Sequence, residues 1–465
     1  MKKYLFIFGL LGTALFTACS TSDDLISEKP IETPSDDHNS VTTLIAEGSL
    51  NSEVPIALGI GQSRGLTRAP LDPSDGNGNF ATPEGKYLGV FCLATGTQSG
   101  VDVDNIPSAI SDNNWNTADD EEGLIVRLKN VPAKVTTDGT SSSVKFWDTT
   151  NDLEQHYYYP MGNWMKYNFY AYYPRQNETV TVSGQEKTTL AFMANQVLEK
   201  YYEIDGSQDI IWGMSDQENA TSVAESKADP YSANYFRKAM AAEGGGDISA
   251  YYPKFTFKHK LVQFRFFVKA AKATDAVDDH TIRNNLTNLN AQVTDMYIAN
   301  AIYKLQLIVA SKRSNAAEEN GKLSVLGKFD KATDTLRIKT HGADTDRFPG
   351  TAVPEDGNAD GHPDWLDAVD VENDTPVGYI MLPRPEVSND DDFKYQLVVK
   401  LEYTGGSSLV KINLEPPTNG FEEGNIYNII VNVQSIEEIF AKAVLQGWQT
   451  YKDDSLNPYI VYDTE

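Results

Sequence analysis

Three short stretches carry residue types and spacings that could do chemistry. The first is "DGNADGHPDWLD", residues 356 to 367. Asp356, Asn358, Asp360, Asp364 and Asp367 take positions 1, 3, 5, 9 and 12 of an EF-hand-type loop, with Gly361 at position 6 for the sharp turn. His362 at position 7 offers its backbone carbonyl. Four carboxylates this close repel one another unless protonated or neutralised by a hard cation, so the spacing predicts Ca2+. Asp rather than Glu at position 12, Pro363 inside the loop and no evident helix before it depart from a sensor site. The loop is closer to the calcium loops of dockerins and thrombospondin-type repeats. The competing reading is an Asp/Gly/Asn-rich surface turn.

The second stretch is the N-terminus, "MKKYLFIFGLLGTALFTAC". Lys2 and Lys3 precede an apolar run, Tyr4 to Ala18, that is short for a bilayer span, so residues 1–18 read as a signal peptide. "LFTAC" is similar to a bacterial lipobox, which places lipid on Cys19, although Phe16 departs mildly from the small or branched aliphatic residue usual there. Cys92 then stands alone, so the folded chain has no intrachain disulfide to rely on. The third stretch is "VPIALGIGQSRGLTRAP", residues 54 to 70. Val54, Ile56, Leu58 and Ile60 alternate as on one face of a strand, and Arg64 and Arg68 follow in a small-residue segment. It reads either as an edge strand with basic turn residues or as a segment that is cut away.

Enzymatic motifs are missing from the sequence. There is no HExxH, GxSxG, phosphate loop or GxGxxG in a fitting context. His38, His156, His259, His280, His341 and His362 are scattered and form no local zinc or triad pattern. The expectation is that the chain is not an enzyme. With 66 acidic and 39 basic residues the net charge is -27, which argues against a nucleic-acid partner and fits a solvated acidic surface.

The elements that must hold these stretches are mostly strands. Residues 19–45 are Ser-, Thr-, Asp- and Pro-rich and read as a flexible tether. Beyond them "GKYLGVFCL", "GLIVRLKNVP", "SSSVKFWD", "KYNFYAYYP", "ETVTVSG", "KLQLIVAS", "FKYQLVVKLEYTG", "SLVKINLEP" and "NIYNIIVNVQ" are rich in β-branched and aromatic residues, often alternating. Many short strands without a βαβ rhythm predict an all-β chain of β-sandwiches. One helix is expected in "SANYFRKAMAAEG", residues 232 to 244, stopped by the glycines after it. "EGGGDIS" marks an internal boundary, giving an N-terminal β-sandwich domain over 46–247 and a C-terminal one over 248–465. In "PKFTFKHKLVQFRFFV" the apolar parity changes near Leu261, as at a bulge or where a strand passes from one sheet to another. His259 falls on the apolar face as a hydrogen-bonded core residue. "SIEEIFAKAV" fits strand or helical spacing. The aromatics of "YYYPMGNWMKYNFYAYYP" fall on both faces, as in a strand buried between layers, although they could also offer platforms to sugars.

Taken in order, these segments resemble the Bacteroidia-type fimbrillins, the FimA-like and Mfa-like subunits of type V pili. The likeness runs from "PIALGIGQSRGLTRA" through "SQDIIWG" and "FTFKHKLVQFRFFV" to "GNIYNIIVNVQSIEEIFAKAVLQGW", with the lipobox ahead of them. The acidic "STSDD" after Cys19 is similar to tracts that send lipoproteins to the outer face of the outer membrane. The resemblance implies two transthyretin-like (Greek-key) β-sandwich domains and a surface-exposed lipoprotein precursor. It also implies that an arginine-specific surface protease cuts after Arg68 or Arg64 and removes the strand Val54 to Ile60. A strand from a neighbouring subunit then fills the vacated groove. The candidate donor lies within 449–465, at Tyr459, Ile460, Val461 and Tyr462. The implied partners are other fimbrial subunits and a host or bacterial surface ligand, in a structural or a tip/accessory position. The rival expectation is a surface glycan-binding lipoprotein that does not polymerise.

The calcium loop yields a direct test. Titration calorimetry of the full chain is expected to show binding at about 10⁻⁴–10⁻³ M Ca2+, abolished in Asp356→Ala/Asp360→Ala. Absence of heat at millimolar calcium removes the site.

Overall fold

A computed structural model describes residues 54–60, 82, 86–97, 115, 125–138, 141–160, 165–175, 179–182, 185–188, 190–193, 197–215, 220–221, 231–270, 285–312, 319–326, 335–339, 376–388 and 392–446. The described residues are nearly all β. The first strands are β1 (Val54–Pro55), β2 (Leu58–Ile60), β3 (Leu88–Thr97), β4 (Val126–Asp138), β5 (Ser141–Asp148), β6 (Leu153–Gln155), β7 (Tyr158–Tyr159) and β8 (Met165–Tyr173). There follow β9 (Thr179–Val182), β10 (Gln185–Thr188), β11 (Leu190–Met193), β12 (Val197–Glu203), β13 (Ile211–Ser215), the helix α1 (Ala233–Ala242), β14 (Lys254–His259) and β15 (Val262–Ala270). The remainder comprises β16 (Gln292–Ile298), β17 (Lys304–Ser311), β18 (Leu323–Val325), β19 (Leu336–Arg337), β20 (Gly378–Leu382), β21 (Gln396–Tyr403), β22 (Gly406–Asn413), β23 (Ile426–Val433) and β24 (Ile439–Gln446).

The largest sheet runs β2-β14-β13-β8-β3-β4-β5-β6, and β2 pairs with β5 as well as β14. β2 therefore closes the sheet into a ring. Its neighbours within the ring are antiparallel except at β14, which runs parallel to β2. The expected aromatic strand lies in the middle of this sheet as β8. Tyr167, Phe169, Tyr170, Tyr172 and Tyr173 are all buried, so its rings form core on both faces. They do not form a sugar platform.

A second sheet, β11-β12-β17-β18, packs nearby, and the Trp212 indole N–H crosses to the Val309 carbonyl at 2.9 Å. Two four-stranded sheets, β20-β15-β23-β24 and β19-β16-β21-β22, make up the rest of the later chain. Their apolar faces meet through ring contacts such as Phe264 against Tyr395 at 6.1 Å. Of the stretch that fitted either strand or helical spacing, residues 439–444 lie in β24.

The parity change near Leu261 marks a passage between sheets. β14 alternates exposed and buried residues within the ring, whereas β15 buries Val262, Phe264, Phe266 and Val268 in the later sheet. Lys260 and Leu261 make the crossing. The expected boundary at 247/248 is spanned by two ladders, β13 with β14 and β12 with β17. The helix begins as expected, with the Ser232 hydroxyl accepting from the Tyr235 N–H at 3.2 Å. It stops where Gly244 and Gly245 adopt positive φ of 61° and 82°.

Two polar pairs fix the crossing. His259 bonds through Nδ1 to the Asp209 carboxylate, and both side chains are buried. Lys260 pairs with Glu423 on the opposite side, and its backbone N–H donates to the Ile210 carbonyl at 2.8 Å. Removing one member of a buried pair takes a charge-assisted hydrogen bond from the other inside the core. Asp209→Ala is expected to cost about 3–5 kcal/mol of stability in urea denaturation. Asp205→Ala, at a more exposed carboxylate nearby, is expected to cost no more than about 1 kcal/mol.

Candidate functional site

The segment from Val54 to Ile60 is built into the ring in two steps. β1 lies antiparallel to β7, with Val54 opposite Tyr159 and Pro55 opposite Tyr158. Proline has no N–H to donate and is tolerated where the ladder is one-sided. The Ile56 N–H then donates to the Tyr157 carbonyl at 2.7 Å. After Ala57 the chain enters β2, held on both edges. Leu58 and Gly59 face Val144 and Ser143 of β5, and Gly59 and Ile60 face Lys254 and Phe255 of β14. The Gly59 N–H donates to the Pro253 carbonyl at 2.8 Å. At Gly59 a Cβ would stand 3.2 Å from the Lys254 Cγ, so a bare backbone suits the close approach there.

The side chains at alternate positions point into the core. Val54 is 2%, Ile56 3% and Leu58 3% exposed. Ile60, expected on the same face, is only partly buried, and Pro55 is buried although it falls on the other parity. The pocket beneath β1 is aromatic. Tyr159 packs at 5.1 Å from Phe236 of α1, at 6.2 Å from Tyr167 and at 6.3 Å from Phe169, while Phe146 and Tyr157 meet edge to face at 5.1 Å. Burial pushes the Tyr159 phenol well above its ordinary range. His156, just before this wall, is pushed down by its burial, with Glu154 opposing the shift. Arg127 secures the wall from outside by donating its Nε–H to the Tyr158 carbonyl at 2.7 Å.

This arrangement is a slot that holds one strand along both of its edges. Among the described residues no group of three or more His, Cys, Asp or Glu side chains could hold a metal. Cys92 is buried and its thiol is raised well above the ordinary value by that burial, which makes it unreactive. Among the described residues no helix is long and apolar enough to cross a membrane.

Of the residues expected to act, the structure brings Val54, Ile56 and Leu58 together in one buried row. Cys19, the two arginines Arg64 and Arg68, the loop residues Asp356, Asn358, Asp360, His362, Asp364 and Asp367, and the tail residues Tyr459, Ile460, Val461 and Tyr462 lie outside the described residues. The walls of the slot, Ser143 and Val144 on one edge and Lys254 and Phe255 on the other, were not expected from sequence. Composition marked both as strands, but their joint pairing to β2 links positions far apart in the chain.

No protein-family model matches the chain, and no curated protein matches it. Several solved structures are similar to it. One is a candidate cell adhesion protein of Bacteroides uniformis ATCC 8492, at 12% identity and a TM-score of 0.40, covering 85% of this chain and 99% of that one. Another is the tip fimbrial protein Mfa3 of Porphyromonas gingivalis with C-terminal truncation, at 6% identity and 0.31, covering 84% and 99%. A third is a fimbrial assembly protein of Parabacteroides distasonis ATCC 8503, at 10% and 0.34, covering 85% and 99%.

The buried row makes a quantitative claim. Leu58→Ala is expected to lower stability by about 2–5 kcal/mol, since the side chain fills a closed slot between two strands. Ile60→Ala, at the partly exposed end, is expected to cost less than half as much. Equal effects in denaturant titrations would show that the slot does not discriminate between the two positions.

Proposed function

We propose that this chain is a subunit of a cell-surface fimbria, in a structural or a tip/accessory position, that supports adhesion. It assembles when its N-terminal strand is removed and a strand of a neighbouring subunit takes the place. The observation that carries this reading is the double pairing of β2, which completes the ring between β5 and β14 immediately ahead of Arg64 and Arg68. Taking away residues 54–60 bares the edges of both walls and the pocket under Val54, Ile56 and Leu58. Open strand edges with an apolar pocket between them recruit another strand. Three such side chains supply about 5–9 kcal/mol at roughly 1.5–3 kcal/mol each, before ordering costs. The incoming strand is Tyr459 to Tyr462 of a neighbour, and lipid on Cys19 holds the precursor at the outer membrane until an arginine-specific protease cuts it. The buried aromatic strand β8 speaks against the glycan platform, so adhesion is assigned to surfaces other than that strand.

The experiment is limited proteolysis of the purified precursor with a trypsin-like protease. The expected result is loss of a fragment ending at Arg64 or Arg68, followed by ladders of multimers. A precursor that is cut, sheds the fragment and stays monomeric refutes the assembly. A second arm removes residues after Trp448. The monomer is expected to keep its stability and lose multimer formation, while unchanged multimers would sink the donor assignment.

A further inference from the structure

Among the described residues Lys200 is the one lysine that is fully enclosed, at 0% exposure. It sits on β12, opposite Leu190 of β11 and Leu307 of β17, and shares a strand face with Tyr202. Its amine lies 5.7 Å from the ring centre of Tyr172, on β8 of the ring sheet, and 5.6 Å from that of Tyr202. Lys200 thus occupies the joint between the β11-β12-β17-β18 sheet and the closed ring. Among the described residues its Nζ has no hydrogen-bond partner, and neither has the Tyr202 hydroxyl. The charged group acting on the amine is Arg175, a second cation, which holds its own Nε–H on the Asn130 carbonyl at 3.0 Å. Asp209 acts on Tyr202 and is itself bonded to His259. Tyr172 donates its hydroxyl to Asn130 at 2.7 Å.

An ammonium in such a place has lost its water and gained only two tyrosine ring faces in return, which remains a costly arrangement in a protein interior. We propose that Lys200 is a built-in weak joint, whose amine drives the β11-β12-β17-β18 sheet to open locally from the ring so that it can reach water. The inference is independent of strand exchange, because it concerns the opposite side of β8 from the β1 pocket.

The sign of the pH dependence follows from the two states. Burial, with Arg175 adding to it, brings the closed-state amine down from 10.5 to about 7. The open state keeps the ordinary lysine value. Between those values the open form binds more protons, so opening is favoured toward pH 7 and suppressed as pH rises toward 10.5, with little further change below 7.

The test is hydrogen exchange of the β12 and β17 amides in the intact chain, corrected for the intrinsic base-catalysed rate. In the wild type the opening ratio is expected to fall about fifty-fold between pH 7 and pH 9. Lys200→Met, which keeps the length and removes the charge, is expected to open less at pH 7 and to lose that dependence. The same pH dependence in both proteins overturns the proposal. If Lys200→Met does not fold, a wild-type opening ratio that is flat between pH 7 and pH 9 overturns it without the variant.

Discussion

The fold of the first half depends on one backbone requirement, that β5 and β14 each find a partner on their inner edge. Every buried N–H and C=O must be bonded, and a sheet that nearly closes on itself leaves two rows of them facing each other. β2 answers both rows with three residues, antiparallel to β5 and parallel to β14. The partner is supplied by the earliest described segment, while β14 lies nearly two hundred residues further along. Ring closure therefore waits for β14, and the closing piece enters from a position where no earlier described strand is threaded through the sheet. No ladder between two other strands runs through β2, and the other ladder of the segment 54–60 is that of β1 with β7.

A second constraint transmits this arrangement to the later sheets. β14 forms one wall of the slot, and two residues after it ends the chain is already β15, deep in another sheet. The His259–Asp209 and Lys260–Glu423 pairs hold this crossing from opposite sides. Gly424, at a φ of 81°, brings its N–H to the Leu261 carbonyl at 2.8 Å, so the loop before β23 clasps the same point. The edge offered to β2 is therefore set by contacts made well outside the slot. Neither pair involves residues 54–60.

Much of this was legible in local periodicity. The alternation of Val54, Ile56 and Leu58, the parity change at Leu261, the Ser232 start of α1 and the two-faced aromatics of β8 all follow from spacing along the chain. What spacing could not give is the identity of partners. Nothing in "SSSVKFWD" says that Ser143 and Val144 pair with residues 58 and 59, and nothing near His259 points to Asp209, fifty positions earlier. Ile60 obeys the alternation but sits where the slot opens, so its burial depends on a neighbour that local sequence does not specify. Lys200 illustrates the same gap in reverse. Nothing in "VLEKYYE" marks the lysine as enclosed, yet tertiary packing buries its amine, while the neighbouring Glu199 carboxylate accepts from Tyr201 at 2.8 Å.

The energetics of the slot explain why cutting the chain would matter more than weakening it. While residues 54–60 are covalently attached, they rebind within their own molecule at the high effective concentration of a tethered segment. A cut turns that event into association from solution, which costs an estimated 4–15 kcal/mol in lost freedom. The three buried side chains return about 5–9 kcal/mol, so the freed fragment is only marginally held. A strand carried by a second subunit meets the same entropic cost but brings the subunit's remaining surface with it. Additional contact along α1 and the wall at Tyr157 to Tyr159 would then count toward retention. The asymmetry between a short loose peptide and a strand borne on a folded body would give the proposed exchange a direction without any external energy source.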